Sequence, residues 1–227
     1  MKNEFLNLVT SPLMNMDHTY RYSGTKLVEQ ESLSQHILDT IILGIRFIDK
    51  INTFEGHDYF NDSNYVLKAV YHDLEEVITG DVPRPLKYFN KDTRDSLKNV
   101  AEQVAYDLFT SQMDNSLYHY YIWENAKEGR EGFILKIVDT LVVANKVIKE
   151  VSFLHNFYML RVAREVRFYL QEYLNNIKKN KHYEALQDSS KNYIKEVIEG
   201  AIQSMESLLT EFQKEVEELN VISQSMI

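Results

Sequence analysis

From Ser32 to Ile51 the apolar residues Leu33, Ile37, Ile41, Ile45 and Ile48 recur every three or four positions, the spacing that lines up one face of an α-helix. The same period runs through nearly the whole chain, and little interrupts it. Its 227 residues contain only 7 glycines and 3 prolines, whereas a many-stranded β fold needs many more turn residues. The expected class is therefore all-α. Ser32 or Ser34 is placed to cap the first helix by accepting from a backbone N–H that lacks an intrahelical partner. Residues 52–63, NTFEGHDYFNDS, carry no period and read as a loop. A second helix opens at Asn64, with Gly80 placed to end it. Pro83 and Pro85 are expected to keep the next segment non-helical. Further helices are expected at roughly 92–111, 115–127, 131–155 and 157–177.

A last helix, from Ser190 to about Leu219, sets Tyr193, Val197, Ala201, Met205, Leu208, Phe212 and Val216 on one side and Glu and Lys on the other. That is an amphipathic face for packing or for a partner. No internal repeat, low-complexity tract or linker divides the chain, so one domain over residues 1–227 is expected. A hydrophobic fraction of 44% and a charged fraction of 26% suit a globular chain long enough to close a core.

Several classes of function drop out. The chain has no cysteine, which removes disulfides, thiolate metal sites and a cysteine nucleophile and suits the cytoplasm. The start, MKNEFLNLVTSPLMNMDH, lacks the basic residues followed by an unbroken apolar stretch that mark a signal peptide. Apolar runs such as Ile41 to Leu43 and Leu141 to Ala144 are too short to span a bilayer, so no membrane partner is expected. A net charge of −9 and a pI near 5.3 argue against extended nucleic acid bound on a basic surface. Neither a GxSxG turn nor a Walker-type glycine loop is present.

The densest ionisable cluster in an apolar setting is YHDLEEVITGD, residues 71–81. On a helix His72 and Glu76, four apart, share a face, Asp73 is turned from them by about 100°, and Asp81 follows the helix stop. Imidazole nitrogen with carboxylate oxygen suits divalent Zn, Mn, Co, Ni or Fe. Two neighbouring ligands do not fill a coordination shell, so others must come from distant segments, and His36 and Asp139 are the candidates. A lone histidine on a core-facing helix is ordinarily a hydrogen-bonded core residue. Asp139, in the run ILKIVDTLVV, needs a cation, a metal or dense hydrogen bonding to be buried, and Lys136 or Lys146 would serve as the cation.

Taken in order, His36, His72-Asp73 and Asp139 resemble the H…HD…D signature of the HD-domain metal phosphohydrolases. Residues 72–90, HDLEEVITGDVPRPLKYFN, are similar to the HD helix and following loop of the bacterial 5′-deoxynucleotidase (YfbR) family. Arg21-Tyr22 stands where that family carries Arg-Trp, ahead of an acidic stretch and the first metal-binding histidine. The resemblance spans about residues 15–155; helices over 157–219 would pack on that core. It implies an HD-domain helical bundle with an extra C-terminal amphipathic helix.

By similarity, His36, His72, Asp73 and Asp139 ligate one divalent transition metal (Co, Mn, Zn, Ni or Fe), while Glu76 and Asp81 orient and deprotonate the attacking water. Arg21 orients the substrate phosphate, and Tyr22, Val82, Pro83 and Arg84 line the nucleotide site. The implied activity is hydrolysis of deoxynucleoside 5′-monophosphates. The alternatives are a dATP-type triphosphohydrolase on the same metal site, a nuclease or guanosine tetraphosphate hydrolase, and a non-catalytic nucleotide-binding protein. A homodimer or higher homo-oligomer in the cytoplasm, of the host if phage-encoded, completes the expectation; the 15 tyrosines suit a subunit interface or a half-buried core. Tyr22 in place of tryptophan bears on sugar selection, Arg84 adds positive charge beside the site, and Gln35 before His36 replaces the family's glutamate. His18, His57, His119, His155 and His182 read as surface or structural, and the stripe Arg161, Arg164, Arg167 as a solvated face.

Overall fold

The computed structural model describes residues 10–87 and 89–225; the side chains of residues 84, 85 and 215–225 lie outside the described part. Its elements run in chain order from a 3-10 turn, Pro12–His18, through α1 (Leu33–Glu55), α2 (Asp62–Tyr71) and two short helices, α3 (Glu76–Thr79) and α4 (Arg84–Lys87). Then follow α5 (Lys91–Gln112), α6 (Ser116–Glu124), α7 (Gly129–Ile148), α8 (Leu160–Asn176), α9 (Lys181–Glu184) and α10 (Asp188–Ser225). Among the described residues there is no strand, only one antiparallel bridge between Tyr20 and Ser32. Its bonds, Arg21 N–H to Glu31 O at 2.9 Å and Leu33 N–H to Thr19 O at 2.7 Å, lay Arg21 beside Glu31 at the mouth of α1. The all-α expectation holds.

Ser32 caps α1, its hydroxyl accepting from the Gln35 N–H at 3.3 Å. The helix runs on to Glu55, into the stretch read as loop. The Asn52 side chain explains this, because it bonds the backbone of Phe60 in both directions at 2.9 Å and holds the last turn against the chain that follows. Asn61 caps α2 by accepting from the Asn64 N–H, so that helix begins two residues before Asn64. Arg84–Lys87 is helical despite its flanking prolines: Pro85 occupies the first turn, where a missing N–H costs nothing, and the Pro83 carbonyl accepts from Leu86 and Lys87.

The helix expected over residues 64–79 is broken. Past Tyr71 the bonds tighten to a three-residue step, Leu74 N–H to Tyr71 O and Glu76 N–H to Asp73 O, before α3 resumes and ends at Gly80 with φ 70°. His72 Nδ1 lies 2.7 Å from the Ala69 carbonyl and competes there with the backbone ladder. The tightened segment is where His72 and Asp73 stand.

The main core gathers α1, α2, α7, α8 and α10 around α7, which is buried nearly all round, as a central helix must be. Gly44 of α1 lets α2 approach; a Cβ there would sit 2.0 Å from the Tyr65 ring, whose hydroxyl donates to the Thr40 carbonyl. From α10, Ile194, Ile198, Ile202, Met205 and Leu208 enter the core, with Tyr193, Val197, Ala201 and Phe212 half-buried at its edge, so the described part of the amphipathic face is spent on packing; the Val216 side chain lies outside the described residues. A smaller cluster, Tyr71, Leu74, Ala105, Phe109 and Ile122, joins the tightened turn to α5 and α6. No described helix is long and apolar enough to cross a membrane.

After Ile148 the chain widens into a π turn, Lys149–Phe153, carrying the buried Glu150. Its carboxylate accepts from the backbone N–H groups of Val28 and Glu29 and from Asn156, and pairs with Lys146 at 3.0 Å. This clamp fixes the segment that leads into α1.

Candidate metal centre and active site

His36 projects from α1 and is fully buried; Asp139 projects from the middle of α7; His72 and Asp73 come from the tightened turn. Each offers one ligand atom, and the four atoms lie within 4.8 Å of one another. His36 Nε2 is 3.2 Å from Asp139 Oδ1 and 3.9 Å from Asp73 Oδ2. His72 Nε2 is 3.1 Å from Asp73 Oδ2 and 3.9 Å from Asp139 Oδ1. The Ala69 carbonyl fixes the His72 tautomer by taking the Nδ1 proton, which turns the Nε2 lone pair toward the carboxylates.

His36 Nε2, His72 Nε2 and Asp139 Oδ1 are all buried without a hydrogen-bond partner. A native core rarely leaves such atoms unsatisfied, and three aimed at one point satisfy the needs of a divalent cation. Burial and the Arg21 charge push His36 down to about 4, so its ring is neutral at pH 7 and free to donate a lone pair. Burial works to raise Asp139, but the Lys127 ammonium and the adjacent His36 ring overcome it and hold that carboxyl well below the ordinary range. Burial likewise opposes an ionised Asp73, and His72, Lys127 and Arg21 outweigh it. Burial lowers His72, but the neighbouring Asp73 outweighs it and raises it, a positive charge that a cation at Nε2 would supply instead; the donor set fits a metal.

Around these four lie the groups expected to handle substrate. Arg21 Nη1 reaches Asp73 Oδ2 at 3.0 Å and Glu76 Oε2 at 3.5 Å. Glu76, buried at the start of α3, also pairs with Lys87 at 3.2 Å. Burial and the nearby Asp73 push it up to about 7. Asp81 Oδ2 accepts from the Tyr22 N–H at 2.6 Å and the Ser23 N–H at 3.2 Å. That holds Tyr22 in the left-handed region, φ 63°, a conformation that costs a bulky residue roughly 1–3 kcal/mol and gathers at binding sites. Arg21, Tyr22, Asp81, Val82 and Pro83 line one end of a groove of about 660 Å³. The groove continues between α7 and α8, past Thr140 and Tyr169 to Asn180. The Arg84 side chain lies outside the described residues.

Some expectations are corrected. The cation on Asp139 is Lys127, at 2.8 Å; Lys136 pairs with Glu128 and Lys146 with Glu150. Gln35 is exposed on α1 and does not flank the His36 ring. The buried Glu31 does, its Oε1 3.7 Å from His36 Nδ1 and 3.9 Å from Arg21 Nε, with burial raising it to about 7. Glu31 belonged to the acidic stretch before His36 without standing out in it. Neither Lys87, inside the 72–90 segment, nor Lys127, at the end of the helix expected over 115–127, was singled out, since in sequence a lysine there is indistinguishable from a solvated one. Of the arginine stripe, Arg161 lines the groove and Arg167 pairs with Glu206.

The family model described as 5′-deoxynucleotidase YfbR-like matches residues 9–180. The 5′-deoxynucleotidase YfbR of Salmonella typhi is 29% identical over 155 residues, 67% of this chain and 77% of that protein. Its Salmonella arizonae counterpart is 30% identical over 147 residues, 63% and 73% of the two chains. Among solved structures, an HD-domain phosphohydrolase of Listeria innocua is similar at a TM-score of 0.55 and 20% identity, over 81% of this chain and 94% of that one. The cyanophage S-2L HD phosphohydrolase bound to dA and one catalytic Zn2+ ion is similar at a TM-score of 0.53 and 14% identity, over 86% and 96%. At those identities the two structures attest the fold. The family match takes in all four clustered ligands and Arg21, Glu76 and Asp81, and stops short of α10. The chain belongs to the YfbR-like 5′-deoxynucleotidase family.

Proposed function

We propose that the protein is a metal-dependent 5′-deoxynucleotidase that releases phosphate from deoxynucleoside 5′-monophosphates. The observation that carries this reading is the convergence of four ligand atoms, three of them on buried residues, beside a groove that Asp73, Asp139 and Arg21 line. His36, His72, Asp73 and Asp139 would hold the ion, one of Co, Mn, Zn, Ni or Fe. When bound, it supplies Lewis acidity toward a phosphoryl oxygen and acidifies water at neutral pH.

The remaining steps belong to the chain. Arg21 presents a planar guanidinium to the phosphate, exchanging its contacts with Asp73 and Glu76 for the substrate. Glu76, at about 7, is balanced to accept the proton of the attacking water near neutral pH and return it to the leaving 5′ oxygen. Asp81 holds the Arg21–Ser23 segment in place through the Tyr22 and Ser23 N–H groups and shares the handling of that water. Tyr22, Val82 and Pro83 form the sugar side. We assign the protein to the cytoplasm as a homodimer, with support from its lack of cysteine and the exposed Leu117, Tyr118 and Tyr121 of α6.

A second reading has its own support. Lys87, Lys127 and Lys136 line the groove beside Arg21, enough positive charge for further phosphates, as a dNTP triphosphohydrolase needs. One assay separates the two: purified protein with deoxynucleoside and ribonucleoside monophosphates and dNTPs, across Mn, Co, Ni, Zn and Mg. Orthophosphate from monophosphates alone is expected; triphosphate released from dNTPs selects the second reading. Tight nucleotide binding without turnover on any metal would overturn both.

A further inference from the structure

Asp73 and Asp139 divide their oxygens between two partners. Asp73 Oδ2 and Asp139 Oδ1 face the two histidines. Asp73 Oδ1 and Asp139 Oδ2 face the Lys127 ammonium, at 3.7 and 2.8 Å. Lys127 is no loosely held surface lysine. It stands on the turn between α6 and α7, where Lys68 of α2 donates to the carbonyls of Asn125 at 2.6 Å, Ala126 at 3.5 Å and Glu128 at 2.9 Å. Gly132 lets α7 lie against the same turn, since a Cβ there would come within 2.4 Å of the Lys127 carbonyl carbon. Two independent devices therefore aim one ammonium at the outer edge of the carboxylate pair.

We propose that Lys127 is a resident counter-cation of the metal centre: it keeps the two carboxylate ligands assembled before the ion arrives, and it weakens the centre's hold on that ion. The inference rests on the metal-centre reading above. Two carboxylates buried side by side repel one another and are costly without a positive partner. A lysine supplies that charge as a compact point on a flexible stem. The same charge repels an incoming dication that shares Asp73 and Asp139 with it. The centre is thus preformed but exchangeable, with an affinity below what its four ligands alone would give.

The test is calorimetric titration of chelator-treated protein with MnCl2 and with CoCl2, on wild type, Lys127→Met, Lys127→Gln and Lys127→Arg, with melting followed by circular dichroism. Both neutral variants are expected to bind each ion about tenfold or more tightly than wild type at low ionic strength, and their metal-free forms to melt at lower temperature. Lys127→Arg keeps the charge and is expected to stay near wild type. A purely structural lysine gives the opposite sign, because a disordered centre binds metal more weakly. Unchanged or weaker binding in the neutral variants overturns the proposal while leaving the metal centre standing. A wild type that takes up neither ion brings down both.

Discussion

At Glu150 the chain buries a carboxylate and still keeps it charged. Burial works to raise its pKa, but Asn156, the Val28 and Glu29 N–H groups and Lys146 prevail and hold it at about 2, against about 4.3 for an unperturbed glutamate. Because the folded value is depressed, the stabilisation is fully present above the unfolded value and is lost as pH falls toward 2. Glu150→Gln is therefore expected to cost up to roughly 3 kcal/mol at pH 7, a gap that narrows steadily below pH 4.5; urea unfolding of the pair at pH 7, 4 and 2.5 measures it. A different outcome is expected at Glu76. Glu76→Gln removes the proton acceptor, so kcat should fall by about 10²–10⁴-fold while metal content measured by atomic emission stays at the wild-type level; loss of the metal would assign Glu76 to the ligand set instead. The clustered residues were legible in sequence through the joint order of His36, His72-Asp73 and Asp139 and through the 72–90 segment, since His36 alone reads as an ordinary core histidine and only Asp139 demands a partner. Glu31 and Lys127 were not, because their importance comes from where the Tyr20–Ser32 bridge and the Lys68-fastened turn deliver them.

Helices were legible as periods, and their ends as caps, wherever a side chain settled the end locally. Ser32 at the start of α1 and Gly80 at the end of α3 are such cases. The break at residues 72–75 left no mark in the period, since the apolar pattern of Val70, Leu74 and Val77 continues straight across it. What interrupts the ladder is an imidazole bonding a carbonyl three residues back, a feature of the side-chain rotamer. The packing of α1 on α2 is just as local in origin. At Gly44 the Tyr65 ring fills the space of a Cβ, so Gly44→Ala must push the two helices apart. Overpacking of this kind costs about 1–3 kcal/mol. Since α1 carries His36 and α2 leads into His72, the variant is expected to melt lower and to bind Mn2+ more weakly in the same calorimeter. A melting loss with wild-type affinity would show that the separation is absorbed away from the ligands.

At the scale of the molecule, the family match ends at residue 180, yet the core does not. Five apolar side chains of α10 complete it, and Glu55 at the end of α1 ties the start of that helix down by accepting from the Gln187 N–H and the Ser190 hydroxyl. At roughly 1.5–3 kcal/mol for each buried side chain, their loss rivals the 5–15 kcal/mol that holds a typical domain together. A chain ended after residue 187 is accordingly expected to keep helical circular dichroism, lose cooperative melting and bind the dye ANS; cooperative melting without α10 would show that the remaining helices close the core by themselves. The sequence revealed this helix and its apolar face and left open whether that face packs at home, as its described side chains do as far as Phe212. Its place after the clustered residues in the chain also orders events during translation. His36, His72, Asp73 and Asp139 leave the ribosome before α10 does, so the four candidate donors are present while the core face that α10 covers is still open to water. On the metal-centre reading, capture of an ion and closure of that face are thereby separable in time, with the later-made helix closing over donors already synthesised.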